Sequence, residues 1–280
     1  MQPYAQQRYQ LLTAEREDFL NVGREASTLT LPYLLTESGH SDGATLTQPW
    51  QSIGAKGVNV LSAKLMLGLF PINTSFFKLQ INDAELEQVP EITPEIRSEV
   101  DLSLSKIERM IKQAIAETSD RVLLHTAMKH LIVTGNALVF AGKKNLKVFP
   151  LDRFVIARDG DGTVTEIVTK EVVDRSLLPK EFQAVIAPKD SDHWHQECDG
   201  KIIPGTKSTS PLKFSPWMPL RFNVCDGESY GRGRVEEYIG DLKSLESLMK
   251  SMVQGSAAAS KVVFLVSPSA TTKPKSLATA

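Results

Sequence analysis

The run from Gly233 to Ala258, GRVEEYIGDLKSLESLMKSMVQGSAA, constrains the fold more than any other stretch of this chain. Val235, Tyr238, Leu242, Leu245, Met249 and Met252 alternate at spacings of three and four, the a/d pattern of a helical packing seam. Ile239, Leu248 and Val253 widen that seam, while Glu237, Asp241, Ser244, Ser247, Lys250, Ser251 and Gln254 fill the opposite face. A helix over these 26 residues is about 39 Å long at 1.5 Å per residue. The seam packs either in the core of its own chain or against copies of itself. The small side chains of GSAAAS at 255–260 allow close helix approach but weaken an isolated helix, so tertiary or subunit contacts are expected there.

The chain enters this helix through GESYG, residues 227–231, which fits the G-x-S-x-G elbow of serine hydrolases. An apolar, strand-like run from Leu220 to Cys225 precedes it, as such an elbow requires. The chemistry does not follow. A nucleophilic serine needs a histidine to take its proton, and in that fold the histidine comes after the serine. His40, His125, His130, His193 and His195 all precede Ser229, and only about fifty residues follow it. Arg232 also stands where the longer serine-carboxypeptidase signature has a small residue. The better reading of Gly227, Ser229, Gly231 and Gly233 is a structural turn, with Ser229 as the helix N-cap.

Other chemical motifs are no stronger. Gly231-Arg232-Gly233 lacks the third glycine of a dinucleotide fingerprint and the Gly-Lys-Ser/Thr of a phosphate loop, and Glu228, Glu236 and Glu237 would repel a phosphate. His193-Trp194-His195 with Glu197 and Cys198 is at most half a metal site, so a polar loop is the simpler account. Asp159 and Asp161 resemble the start of a calcium loop, but Lys170 occupies the closing position, which favours a hairpin turn. No catalytic residue, cofactor or metal is expected.

Charge narrows the partners. The net charge is −1 and the pI about 6.5, without the basic surplus that supplies a nucleic-acid binder's affinity. Between 226 and 254 four basic residues face six acidic ones, a net of 4 − 6 = −2. Such a helix does not grip DNA, although DNA can pass it. Cys198 and Cys225 have neither metal nor redox spacing. No apolar run approaches the roughly 20 residues needed to span a bilayer.

Along the chain the pattern is α+β. Helices are expected over 4–22, over Asp42–Phe70 up to Pro71, from Thr93-Pro94 to about Thr118, and from Ser119-Asp120 to Gly135. Phe76–Ile81, Ala137–Ala141, Leu146–Phe149, Arg153–Arg158 and Val164–Val173 read as strands, with Asp159-Gly160-Asp161-Gly162 turning the last two. Residues 187–216 are polar and proline-bearing and read as loop, and Lys261–Val266 as a final strand.

Three blocks of sequence resemble a known family: QPWQSIGAKGVNVLSAKLMLGLFP (48–71), SKIERMIKQAIAETSDRVLLHTAMKHLIVTGNALVF (105–140), and DGESYGRGRVEEYIGDLKSLESLMK with ASKVVFLVSP (226–268). They are similar to the portal, or head–tail connector, proteins of short-tailed bacteriophages of the T-odd (autographivirus) type. The resemblance covers nearly the whole chain. It implies a non-enzymatic subunit of a twelve-membered ring at one capsid vertex, the channel for genome packaging and ejection. It further implies a wing-like α+β domain over 1–225, a stem helix over 226–260 and the start of a clip domain over 261–280. Family members are longer, so the chain is expected to be an N-terminal fragment that does not close a stable ring alone. The implied partners are further copies of itself, major capsid and scaffolding proteins, a terminase packaging motor, tail adaptor proteins and double-stranded DNA passing without sequence specificity. No membrane is involved. The implied location is the portal vertex of a virion, after synthesis in the host bacterial cytoplasm.

Overall fold

A computed structural model describes residues 4–36, 43, 45–71, 74, 76–80, 94–142, 145–171, 185–190, 193–198, 201–202, 208–209 and 215–261. Five α-helices are described: α1 (Tyr4–Leu29), α2 (Ile53–Leu69), α3 (Pro94–Glu117), α4 (Asp120–Thr134) and α5 (Ile239–Ala259). Between α4 and α5 lie β1 (Asn136–Ala141), β2 (Leu146–Phe149), β3 (Phe154–Arg158), β4 (Val164–Lys170), β5 (Val185–Asp190), β6 (His193–Cys198), β7 (Lys201–Ile202), β8 (Ser208–Thr209) and β9 (Trp217–Arg221). One antiparallel sheet has the order β2-β1-β9; the other runs β3-β4-β5-β6-β7, with β8 also pairing β6. The mixed α+β class read from the sequence is the class observed.

Local chemistry sets several boundaries where the sequence places them. Gly135 ends α4 with φ 75°, and its N–H donates to Leu131 C=O at 3.0 Å, the left-handed cap that glycine adopts without strain. The Asp159–Gly162 turn joins β3 to β4: Asp159 Oδ1 accepts from Asp161 N (3.2 Å) and Thr163 N (2.7 Å), and Gly162 takes φ 80°.

Helix α1 runs along both sheets and links their cores. Leu20 joins Leu138, Phe149, Phe154, Trp217 and Tyr230 in one buried cluster, and Ala5 and Leu12 pack on Val155 and Val168 in another. Arg16 crosses this junction with only 4% of its surface exposed. Its Nη1 donates to the carbonyls of Leu151 (3.2 Å) and Asp152 (3.1 Å) in the 3-10 turn Leu151–Arg153 and to that of Phe154 (3.0 Å) just after it. On the other side α2 lies on α4, with Val58, Ile132, Val133, Val235 and Leu242 in a common core.

Four expectations need correction. Helix α2 begins at Ile53 and not near Asp42, because Gln51 fixes the start: its Oε1 accepts from Gly54 N (2.9 Å) and its Nε2 donates to Leu29 C=O (2.7 Å). Residues 76–80 lie in no strand; Leu79 N donates to the Glu108 carboxylate at 2.6 Å instead. The stretch read as loop, 187–216, contains part of β5 and all of β6, β7 and β8, so the His193–Cys198 segment is a strand and not a polar loop. Helix α5 starts at Ile239, six residues later than expected, after a separate 3-10 turn at Val235–Tyr238. The Thr93 cap and all of the Lys261–Val266 strand beyond Lys261 lie outside the described residues.

Candidate functional site

After β9 the chain enters a loop closed by its own bridge. Asn223 N donates to Arg232 C=O (3.2 Å) and Arg232 N returns a bond to Asn223 C=O (2.9 Å). Between these points lies GESYG. Gly227 makes the turn with φ 77°, and Glu228 N donates to Cys225 C=O at 3.3 Å. Tyr230 then drives back into the core, 1% exposed, its ring centroid 5.4 Å from that of Phe19. Its hydroxyl oxygen accepts from Ile156 N at 3.0 Å, and burial pushes the phenol up to about 12.

Gly231 and Gly233 do not turn the chain; they let it cross another backbone in contact. A Cβ on Gly231 would lie 2.8 Å from Gly135 O, and one on Gly233 would lie 2.4 Å from Val133 O. From the other side, a Cβ on Gly135 would lie 2.4 Å from Arg232 C. Asn136, 2% exposed, locks the crossing: its Nδ2 donates to Gly231 C=O and its Oδ1 accepts from Gly231 N, both at 2.7 Å. The GESYG segment is therefore clamped against the end of α4.

Three arginines hold the loop from outside, Arg221 through Nη1 to Glu228 C=O (2.9 Å). Arg158 Nε donates to Ser229 C=O (3.0 Å) and its Nη1 to Gly162 C=O (2.8 Å). Burial first, and the Arg221 guanidinium second, lower the Arg158 pKa from its ordinary value. Arg232 reaches Glu228 through Nε (3.0 Å) and Nη2 (2.5 Å), reaches Glu236 through Nη1 (2.6 Å), and lies 5.6 Å from the Phe19 ring centroid. Its bonds to these carboxylates raise the arginine pKa, and the same hydrogen bonds hold Glu228 below the usual carboxylate range. Arg232, out of place in a hydrolase signature, is a staple here.

Among the described residues, the chemistry of a hydrolase is not assembled around Ser229. A cavity of about 510 Å³ lies between α1 and this loop, and Ser229 lines it. Glu15, Asp18, Glu228, Glu236 and Arg232 supply its charged groups, and no histidine lines it among the described residues. His125 Nε2 instead meets Ser62 Oγ at 3.0 Å, and His130 is buried in α4. Nor does Ser229 occupy the helix cap: Tyr238 stands there, with no side-chain cap bond.

The seam of α5 divides in two. Val235 and Leu242 are 6% and 7% exposed and pack with α1 and α2, and Leu245 and Met249 are half-buried. Tyr238 (46%) and Met252 (58%) face solvent. The first half is anchored further by Glu246, whose carboxylate accepts from Trp50 N (2.9 Å) and Gln51 N (3.2 Å), and by the Lys243–Glu25 ion pair at 2.5 Å. Every residue from 250 to 261 is exposed. Arg16, Asn136, Tyr230 and Glu246 were not singled out by sequence reasoning; the only cue was the Gly135-Asn136 pair at the end of a helix.

Comparison with known proteins shows the family. The family model described as "Bacteriophage head to tail connecting protein" matches residues 2–197 and 193–279. The portal protein of Enterobacteria phage T3 is 34% identical over 96% of this chain and 55% of its own length. The portal protein of Escherichia phage T7 is 32% identical over the same shares, and that of Enterobacteria phage SP6 is 26% identical over 94% of this chain and 55% of its own length. The chain thus spans about half the length of the curated relatives it matches. With matches over nearly every residue, the chain belongs to the family of bacteriophage head-to-tail connecting proteins.

Proposed function

We propose that the chain is part of a subunit of a phage portal ring at one capsid vertex, the channel through which the genome is packaged and ejected. The observation that carries this reading is the alignment of 96% of the chain with portal proteins at 34% and 32% identity. In this reading residues 1–225 are the wing-like body, 226–260 the stem segment with α5 as its helix, and 261–280 the start of the clip. The two-part character of α5 supports the assignment: one half is bonded to the body by Glu246 and Lys243, and the other stands clear of it.

The physics suits a conduit. A channel wall that attracts the phosphate backbone strongly would stall translocation, because each neutralised phosphate adds to the affinity. The stem region carries a net charge of −2 between residues 226 and 254. The subunit has no chemistry of its own, and packaging energy comes from a separate motor. Its partners are other copies, capsid and scaffolding proteins, the terminase motor and tail adaptors.

A nonsense codon early in the reading frame of the encoding phage tests the proposal. The expected result is heads without DNA, restored by supplying the full-length gene in trans. DNA-filled, infectious particles at normal yield would contradict it.

A further inference from the structure

Helix α2 is apolar on two sides. One side buries Gly54, Val58, Ser62 and Met66. On the other, Ile53, Val60 and Leu67 recur every seven residues and are 61%, 54% and 61% exposed. Gly57 stands between them, and a Cβ there would meet nothing within 4 Å. A helix apolar on both sides belongs between two layers. Apolar residues at seven-residue spacing, two of them β-branched, next to a small residue, suit close packing against another helix.

Helix α3 carries a matching row. Val100, Ser103, Ile107, Met110 and Ala114 alternate at spacings of three and four. Ile107 is 41% and Met110 64% exposed, and none of the four buried clusters contains an α3 residue. Both rows cover fourteen residue steps, from 53 to 67 and from 100 to 114, or about 21 Å at 1.5 Å per residue.

Charge selects the pairing. Helix α2 has two exposed lysines, Lys56 and Lys64, and no carboxylate, so two α2 rows would repel each other. The edge of the α3 row bears Glu99 and Glu117 with Lys106 between them, a net negative edge. A contact between two different faces passes from copy to copy and closes into a ring when the rotation allows.

We propose that the Val100–Ala114 row of α3 on one copy packs against the Ile53–Leu67 row of α2 on the next. This rests on the portal reading and deepens it by naming two faces that meet between subunits. The contact is pairwise, so it forms whether or not a ring closes.

Cysteine cross-linking tests it. With Cys198 and Cys225 replaced by serine, one preparation carries Val60→Cys and another Ile107→Cys, the midpoints of the two rows. Oxidising the mixture should give a covalent dimer containing one chain of each kind, several-fold above any product from either chain alone. The pair Ala63→Cys with Ser103→Cys serves if a first variant misfolds. Equal cross-linking of the Ile107→Cys chain with itself, or of the Val60→Cys chain with itself, would overturn the pairing. So would the absence of a mixed dimer with both pairs. Absence of the mixed dimer removes only this pairing; the portal reading fails on DNA-filled heads, a separate readout.

Discussion

Asn136 and Gly231 hold each other through two reciprocal bonds of 2.7 Å, across 95 residues of sequence. The pair joins the end of α4 to the loop that leads into α5, in a place where three glycines bring two backbones into contact. The body of the protein therefore sets the position from which α5 departs. Replacing Asn136 by alanine leaves a buried N–H and C=O of Gly231 unpaired and should cost about 2–4 kcal/mol. Urea unfolding checks this: a midpoint indistinguishable from the parent would contradict the clamp.

The glycines separate by mechanism. Gly227 has φ 77° with open space around it, so Gly227→Ala should cost only about 1–2 kcal/mol of left-handed strain. Gly231→Ala puts a methyl 2.8 Å from the Gly135 carbonyl oxygen, which is already held by Phe222 N at 2.9 Å. It should lower the melting temperature further than Gly227→Ala, and the opposite ranking would contradict the close backbone crossing at Gly231.

Ser229→Ala should change stability by no more than about 0.5 kcal/mol, because the bond Ser229 makes to Arg158 uses its carbonyl oxygen. The N-cap role expected from sequence would have cost about 1 kcal/mol. A fluorophosphonate probe should leave the serine unlabelled; stoichiometric labelling would restore the hydrolase reading.

Burial lowers the His130 pKa to about 4 from an ordinary value of 6.5. Between those values the unfolded chain binds a proton that the folded chain does not, so stability rises with pH across the window. The contribution is fully present above pH 6.5 and is lost as pH falls towards 4, at about 1.4 kcal/mol per pH unit for one proton. His130→Gln should flatten the pH dependence of the urea midpoint between pH 5 and 6.5. An unchanged slope would show that another group carries it.

Glu246 accepts two backbone N–H groups ahead of α2, so Glu246→Ala should cost about 1–3 kcal/mol and expose amides 50 and 51 to hydrogen exchange. Continued protection of both amides would place the anchor elsewhere.

How much of this was legible depended on where each signal lies. The close of α4 at Gly135 and the Asp159–Gly162 hairpin could be read because cap and turn chemistry is local. The strands within 187–216 could not: their prolines and polar side chains hide pairing made by the backbone. The start of α5 was misread because Val235 and Tyr238 keep the helical spacing through a 3-10 turn. Arg16, Asn136 and Glu246 act on partners 95 to 196 residues away, and no local pattern marks them. The resemblance in residues 48–71, 105–140 and 226–268 pointed to the family to which the chain belongs.

Copy number in purified particles tests the portal reading most directly. Nuclease-treated, gradient-purified phage particles encoding this chain would be digested and its peptides quantified against the major capsid protein. A portal subunit gives a low, fixed ratio, near twelve copies per particle, the number of a dodecameric portal. Absence of its peptides from particles, or a ratio comparable to that of the major capsid protein, would contradict the account.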